Sequence, residues 1–449
     1  MPADLTASEG MSARLRGNSL WLLCVLFLLP MIGYVHRLMI NILIDPVSAE
    51  LALSDTQASF LQGPPFALAY GLMVIPMGLL VDRRQRTLLL SAGALIWSAG
   101  TFFCGFAGDF NQLFAARLIV GIGEAALTPA AVSLIGDAFI GPRRGLAMGV
   151  FFTGINAGFS TAYAVGGAAL EMAQANQFSA LPWVGDLAPW RQVFCVLAVP
   201  GFLIPLLMFT IREPEREPES SNFGQHLSRS LFRQPGFSLV LVMLVIAASL
   251  LAVADNGVYA WLPRLLSRLY ELKPTEIGVS LGIVVALGGL VGGPLGGVAN
   301  DFFFRRRGTS GPLFTVLAGC ALALAALPLY ASKVLPMVYL ATGLWVVAVV
   351  AATSSIFTFI AVAAPVHLRG TASSVVTAAV ALIGLGLGPT TIAVVLEQLS
   401  FARERVDLAI LVSALPLCLV AAGLAFLALH VHQRFDKSVA PLTHKDLAL

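Results

Sequence analysis

Twelve times along this 449-residue sequence, a run of about 20 residues carries almost nothing but apolar side chains. That is the length an α-helix needs to cross roughly 30 Å of hydrocarbon. The spans fall at 19–44, 57–80, 88–108, 112–137, 145–170 and 190–211, then at 236–262, 276–299, 312–331, 334–361, 371–397 and 407–431. Only 11% of the residues are charged, against about 25% in soluble domains. The expected fold is therefore an all-α membrane protein of twelve transmembrane helices in two pseudo-symmetric six-helix bundles. Residues 1–18 form a tail, 19–211 the first bundle, 212–235 a linker, 236–431 the second bundle and 432–449 a second tail. The first run lacks a small-residue cleavage site and reads as a retained helix rather than a signal peptide.

Charge placement orients the chain. With both termini cytoplasmic, eighteen of the 27 Lys and Arg residues lie on the cytoplasmic side and seven on the other, as the positive-inside rule requires. The two that remain, Arg37 and Arg117, fall inside apolar runs. So does Glu124, two helical turns after Arg117 and on the same face. A charge facing lipid costs several kcal/mol, so that face must look into protein or a water-filled cavity. A buried glutamate caught between desolvation and arginine can switch protonation, as a proton-coupled carrier needs; a permanent ion pair is the plainer reading. Arg37 offers a planar fork for phosphate or carboxylate, or else a helix-to-helix salt bridge. Arg117, nearer the outer end, is open between the same two roles. His36 either packs or joins proton coupling.

In the second half, Asp255 and Asn256 are the main polar features, as a proton or cation site or as a solvated group. Tyr259 and Trp261 read as an outer gate or as interfacial aromatics. Thr153, Asn156, Phe357 and Thr377 are candidate cavity-lining residues. The five cysteines lie in apolar runs without metal-binding spacing and read as buried hydrophobes. Gly154/Gly158, Gly293/Gly297 and Gly384/Gly388 place small residues one turn apart for close helix contact. The segment from Met172 to Pro189 is an interfacial loop with no further assignment.

The halves echo one another. Gly78-Leu-Leu-Val-Asp82, followed by Arg83, Arg84 and Arg86, recurs as Gly297-Val-Ala-Asn-Asp301 followed by Arg305, Arg306 and Arg307, and Arg144-Gly145 recurs as Arg369-Gly370. Internal repeats of this kind are a transporter plan with the substrate site at the repeat interface. The first loop resembles the signature of the major facilitator superfamily. Gly121-Ile-Gly-Glu-Ala125, Trp190-Arg191, Ala260-Trp-Leu-Pro263 and Ile383-Gly-Leu-Gly-Leu-Gly-Pro389 together resemble its bacterial spinster-like branch. That resemblance implies a proton-driven, alternating-access carrier of an amphipathic lipid or lipid-like organic anion, in the bacterial inner membrane. The alternative is a proton-coupled symporter or exporter of a small organic anion or drug-like compound. It also implies that Glu124 takes part in proton coupling and that Asp82, pairing with Arg86 or Arg144, holds a cytoplasmic gate, with Arg83 and Asp301 in the same devices. One departure stands out. Where the family reads Tyr-x-Asp-Arg, this chain reads Tyr34-Val-His36-Arg37.

The expected partners are the lipid bilayer, an amphipathic or anionic small molecule and protons, with the chain monomeric and nucleic acid excluded for lack of a platform. No cofactor is expected beyond a proton gradient. HExxH and GxxxxGK[ST] are absent, which argues against enzyme and ATP-driven pump classes, and a two-fold repeat argues against a channel of polar rings.

Overall fold

The computed structural model describes residues 3–139, 142–213, 235–364, 369–398 and 405–443, with side chains omitted at 3–19, 82, 142–146, 152, 235–236, 369–371, 374 and 436–443. Among the described residues every regular element is a helix. Ten helical stretches among them are long and apolar enough to cross a membrane. The chain divides into two compact units, one formed by Met1–Glu219 with Leu272–Gly282, the other by Ser220–Glu271 with Ile283–Leu449.

Three expected spans of the first unit are broken rather than continuous. The first becomes α1 (Ala3–Leu38) and α2 (Ile40–Glu50), the second α3 (Asp55–Gln62) and α4 (Pro64–Arg83), and the fourth α6 (Phe110–Glu124) and α7 (Leu127–Ala138). The second break follows from Pro64-Pro65. A proline has no N–H to give the carbonyl four residues back, so Pro65 strands the carbonyl of Leu61. Ser54 opens α3 with a capping box to Gln57, and Asp109 caps α6 by accepting from the Gln112 N–H at 2.9 Å. The unit is completed by α5 (Arg86–Cys104), α8 (Pro142–Gln174) and α9 (Pro189–Phe209).

Glycines set how closely these helices approach. A Cβ on Gly123 of α6 would lie 2.5 Å from the Trp97 nitrogen of α5. One on Gly158 of α8 would lie 2.6 Å from Tyr34 Cβ, and one on Gly154 would strike the Phe27 carbonyl of α1. One end of the unit is knotted by Glu50, which accepts from the Trp190 indole at 2.5 Å and from Arg191 Nε at 2.9 Å. Between α8 and α9 the expected interfacial loop is a chain of tight turns. Gln192 clamps it through the carbonyls of Gly185 and Leu187, and Trp183 projects from it 90% exposed at φ 62°.

The second unit holds α10 (Pro235–Tyr270), α11 (Pro274–Arg307), α12 (Gly311–Ala326), α13 (Leu335–Ala363), α14 (Arg369–Ala379), α15 (Gly386–Gln398) and α16 (Val406–Thr443). The first turns of α11 group with the first unit. A π-helical segment, Val380–Leu385, joins α14 to α15. Next to it, a Cβ on Gly384 or Gly388 would meet Ala252 or Asn256 of α10 at 2.5 and 2.8 Å. Of the three expected small-residue pairs, Gly293/Gly297 differs, because nothing lies within 4 Å of either position.

In each unit the side chains that face outward are as apolar as those inside. Leu72, Ile75 and Leu79 of α4 are exposed at helical spacing, as are Leu203, Leu206 and Phe209 near the end of α9. A surface of this kind matches hydrocarbon and not water.

Candidate functional site

Arg37 and Glu124 sit where their helices end, in the last turn of α1 and at the final residue of α6. Both are buried, and Arg37 Nη1 lies 3.5 Å from Glu124 Oε1. The guanidinium is held over two aromatic faces, Phe66 at 4.3 Å and Tyr34 at 4.9 Å from the ring centroids. Tyr34 in turn leans on Phe159 of α8, and Phe66 stacks on Tyr70. The contact between the charges is single and long for a charge-assisted bond. The second oxygen, Glu124 Oε2, has no hydrogen-bond partner among the described residues. This is an ion pair with capacity to spare, framed by rings that can accept an apolar body.

Arg117 is placed differently. Fully buried, it points Nε at the Leu61 carbonyl at 3.3 Å and its two Nη atoms at the carbonyls of Gln62 and His36, each at 3.5 Å. Leu61 is the carbonyl that Pro65 strands, and His36 lies at the turn where α1 gives way to α2. Arg117 thus supplies donors to two helix breaks. His36 shares α1 with Arg37, and its Nε2 donates to the Leu197 carbonyl of α9 at 2.6 Å. Its Nδ1 is buried without a partner.

The other candidates fall in separate places. Thr153 and Asn156 are exposed on α8, away from the face that Gly154 and Gly158 press onto α1, and the Thr153 hydroxyl donates within its own helix to Gly149. Thr377 is exposed and bonds Ser373 of its own helix, while Phe357 is half-buried on α13. Asp255 accepts from the Trp345 indole of α13 at 2.9 Å, and Asn256 donates to the Ala252 carbonyl. Tyr259 and Trp261 are both buried. The Trp261 indole donates to the Pro389 carbonyl at 2.9 Å, which ties α10 to α15.

The side chains of Asp82 and Arg144, expected in the cytoplasmic gate, lie outside the described residues. Arg83 is exposed. Arg86 is buried, and among the described residues it meets two carboxylates. It pairs with Asp137 of α7, donates to the carbonyl and hydroxyl of Ser133, and gives Nε to Glu213 at 2.9 Å. Glu213 also accepts from the backbone N–H of Arg86 and Thr87, so it caps α5 from the segment after α9. Burial pushes its carboxyl up, but hydrogen bonds from Arg86 and Thr87 outweigh this and hold it below the usual carboxylate value. Asp301 is exposed and makes no ion pair among the described residues. Sequence reasoning missed Asp137 and Glu213. Asp137 carries a signal, as a carboxylate inside an apolar run; Glu213 has none beyond standing before Pro214. Among the described residues no three His, Cys, Asp or Glu side chains cluster as a metal site.

Against known proteins, the model of the Major Facilitator Superfamily matches residues 21–389. Protein spinster of Drosophila melanogaster is 25% identical over 309 residues, 66% of this chain and 48% of that protein. The sphingosine-1-phosphate transporter of Xenopus tropicalis is 25% identical over 299 residues, covering 63% and 55%. The chain thus spans about half the length of these curated relatives. The crystal structure of a bacterial homologue of the human lysosomal transporter Spinster, inward-facing and unoccupied, superposes with a TM-score of 0.79. It is 25% identical and covers 93% of this chain and 98% of that one.

Proposed function

Because the chain belongs to the Major Facilitator Superfamily and its relatives are spinster-like transporters, we propose that it is a proton-coupled secondary transporter of an amphipathic lipid or lipid-like organic anion. Twelve spans in two six-helix bundles are part of this reading. Ten stretches qualify by length and apolarity, one of them holds both α11 and α12, and the 33-residue α8 is long enough to add another. Both termini are cytoplasmic, the membrane is the bacterial inner membrane, and the working unit is a monomer without cofactor or enzymatic activity.

The observation that carries the reading is the buried Arg37–Glu124 pair with its unused Glu124 oxygen. Protonation of Glu124 removes the carboxylate from Arg37 and leaves a guanidinium in an apolar, aromatic-walled place. An anionic headgroup restores the balance, and Phe66 and Tyr34 suit the apolar body behind it. Deprotonation returns Glu124 to Arg37 and displaces the anion. The Glu124 carboxylate and the substrate anion thereby compete for one arginine, so proton and anion bind together and a transmembrane pH difference can drive their joint movement. Asp255, held by one indole, and His36 are the other titratable groups that this scheme can draw on. Phe357, Thr377, Thr153 and Asn156 remain candidates for lining the path.

The test is transport into liposomes under an imposed pH gradient, with lysophospholipid and sphingoid-lipid probes. Wild type should move lipid in a gradient-dependent way, and Glu124→Gln should lose the gradient dependence by at least tenfold, the usual scale for removing a proton-transfer group. Full pH dependence in the variant would move coupling to Asp255 or His36. Movement of a small organic anion but no lipid would replace the lipid reading.

A further inference from the structure

The far end of α11 is used by none of the above. Three consecutive arginines, Arg305, Arg306 and Arg307, close this helix, all exposed and none with a carboxylate partner among the described residues. They are not simply solvated. The Arg306 guanidinium lies 4.1 Å over the Phe302 ring and that of Arg307 5.4 Å from the Phe314 ring of α12. Phe302 is itself 46% exposed and Phe304 is exposed beside it. Rings that would be unfavourable in water here support cations at the end of a helix apolar enough to cross a membrane.

An apolar track leads to this cluster. Val291, Leu295, Val298 and Phe302 are exposed at spacings of three and four, so they form one stripe along α11 that ends under Arg306. Gly293 and Gly297, which also have nothing within 4 Å of where a side chain would stand, lie on the opposite side of the helix and take no part in the stripe. Asp301 lies at the same end and opposes an anion, but it is one carboxylate against three guanidiniums and pairs with none of them.

We propose that Arg305–Arg307 with Phe302 form a docking site for an anionic phospholipid, the phosphodiester headgroup on the arginines and an acyl chain along the apolar stripe of α11. Planar guanidiniums match phosphate oxygens bidentately, and clusters of arginine beside a span attract acidic lipid. An aqueous phosphate would satisfy the arginines alone and leave the exposed phenylalanines and the track in water, so the lipid is the occupant that uses the whole surface.

The experiment titrates the purified full chain in detergent with phosphatidylglycerol or phosphatidylcholine of identical acyl chains and counts retained lipid by native mass spectrometry. Wild type should retain phosphatidylglycerol at least tenfold more tightly than phosphatidylcholine, and the R305Q/R306Q/R307Q variant should lose that preference. Because removing three positive charges can disturb insertion, Arg306→Lys is measured too. It keeps the charge but gives up the flat guanidinium face, and should weaken retention by several-fold. Equal retention of the two lipids, or an undiminished preference in the triple variant, would overturn the site. So would glycerophosphoglycerol competing as well as the intact lipid, which would reduce it to a soluble-phosphate site. None of these readings depends on transport, so the outcome stands apart from the fate of the proton-coupling scheme.

Discussion

Arg37 and Arg117 carry the same group into the same unit, and their surroundings give them opposite work. Arg117 spends its donors on three backbone carbonyls at two helix breaks, whereas Arg37 holds one carboxylate oxygen through one long contact. Arg117→Met should therefore act on stability. It strands three buried carbonyls at about 1–3 kcal/mol each, a loss of roughly 3 kcal/mol or more that thermal unfolding in detergent reads directly, with Arg117→Lys intermediate. A variant that kept wild-type stability but lost transport would return Arg117 to the substrate. The sequence exposes Arg37, Arg117 and Glu124 equally well, since each is a charge in an apolar run. It cannot separate their roles, because backbone carbonyls are the same at every position and leave no mark in the residue pattern. The partner of His36 is hidden for the same reason, being the carbonyl of Leu197.

At the scale of elements, spans are legible because hydrophobic length is a local property, while breaks within them depend on what packs alongside. Pro64-Pro65 announces one break, yet those at Met39 and at Ala125-Ala126 have no comparable signal. Nor does the pattern tell a packed glycine pair from a bare one. Gly154/Gly158 and Gly293/Gly297 share a spacing, and only the first meets another helix. The tie between α5 and the segment after α9 is a case that the pattern did not announce, since Arg86 takes Asp137 and Glu213, both distant in sequence. Glu213 binds the first N–H groups of α5 as an anion, and its folded carboxyl titrates below the usual value of 4.5. A depressed carboxylate contributes stability above its unfolded value, and that contribution disappears as pH falls through the lower folded one. Glu213→Gln should thus cost about 1 kcal/mol at neutral pH. Melting curves of wild type and variant should converge as the pH drops below about 4. A constant offset between the two across that range would mean that the carboxylate charge plays no part in the cap.

Across the whole molecule, echoes such as Gly78–Asp82 with Gly297–Asp301 and the apolar runs lead to the expectation of two halves. The residues that settle orientation lie in the loops. The clamped loop between α8 and α9 presents Trp183 almost fully to solvent, and the arginine end of α11 lies across an intervening odd number of expected spans. In intact cells, Trp183→Cys should react with a membrane-impermeant maleimide, and Arg307→Cys should react only after permeabilisation. The reverse pattern would invert the topology and place both termini outside.

The pairing of Arg37 with Glu124 also has a history within each round of synthesis. The two are separated by 87 residues, and ribosomes add about 5–20 residues per second, so the arginine emerges roughly 4–17 s before its partner exists. During that interval a cation costing about 2.5–3.5 kcal/mol at the centre of an isolated helix has to be tolerated. The first helix therefore carries this cation unpaired until the fourth span arrives, and Glu124 is the residue that closes the pair.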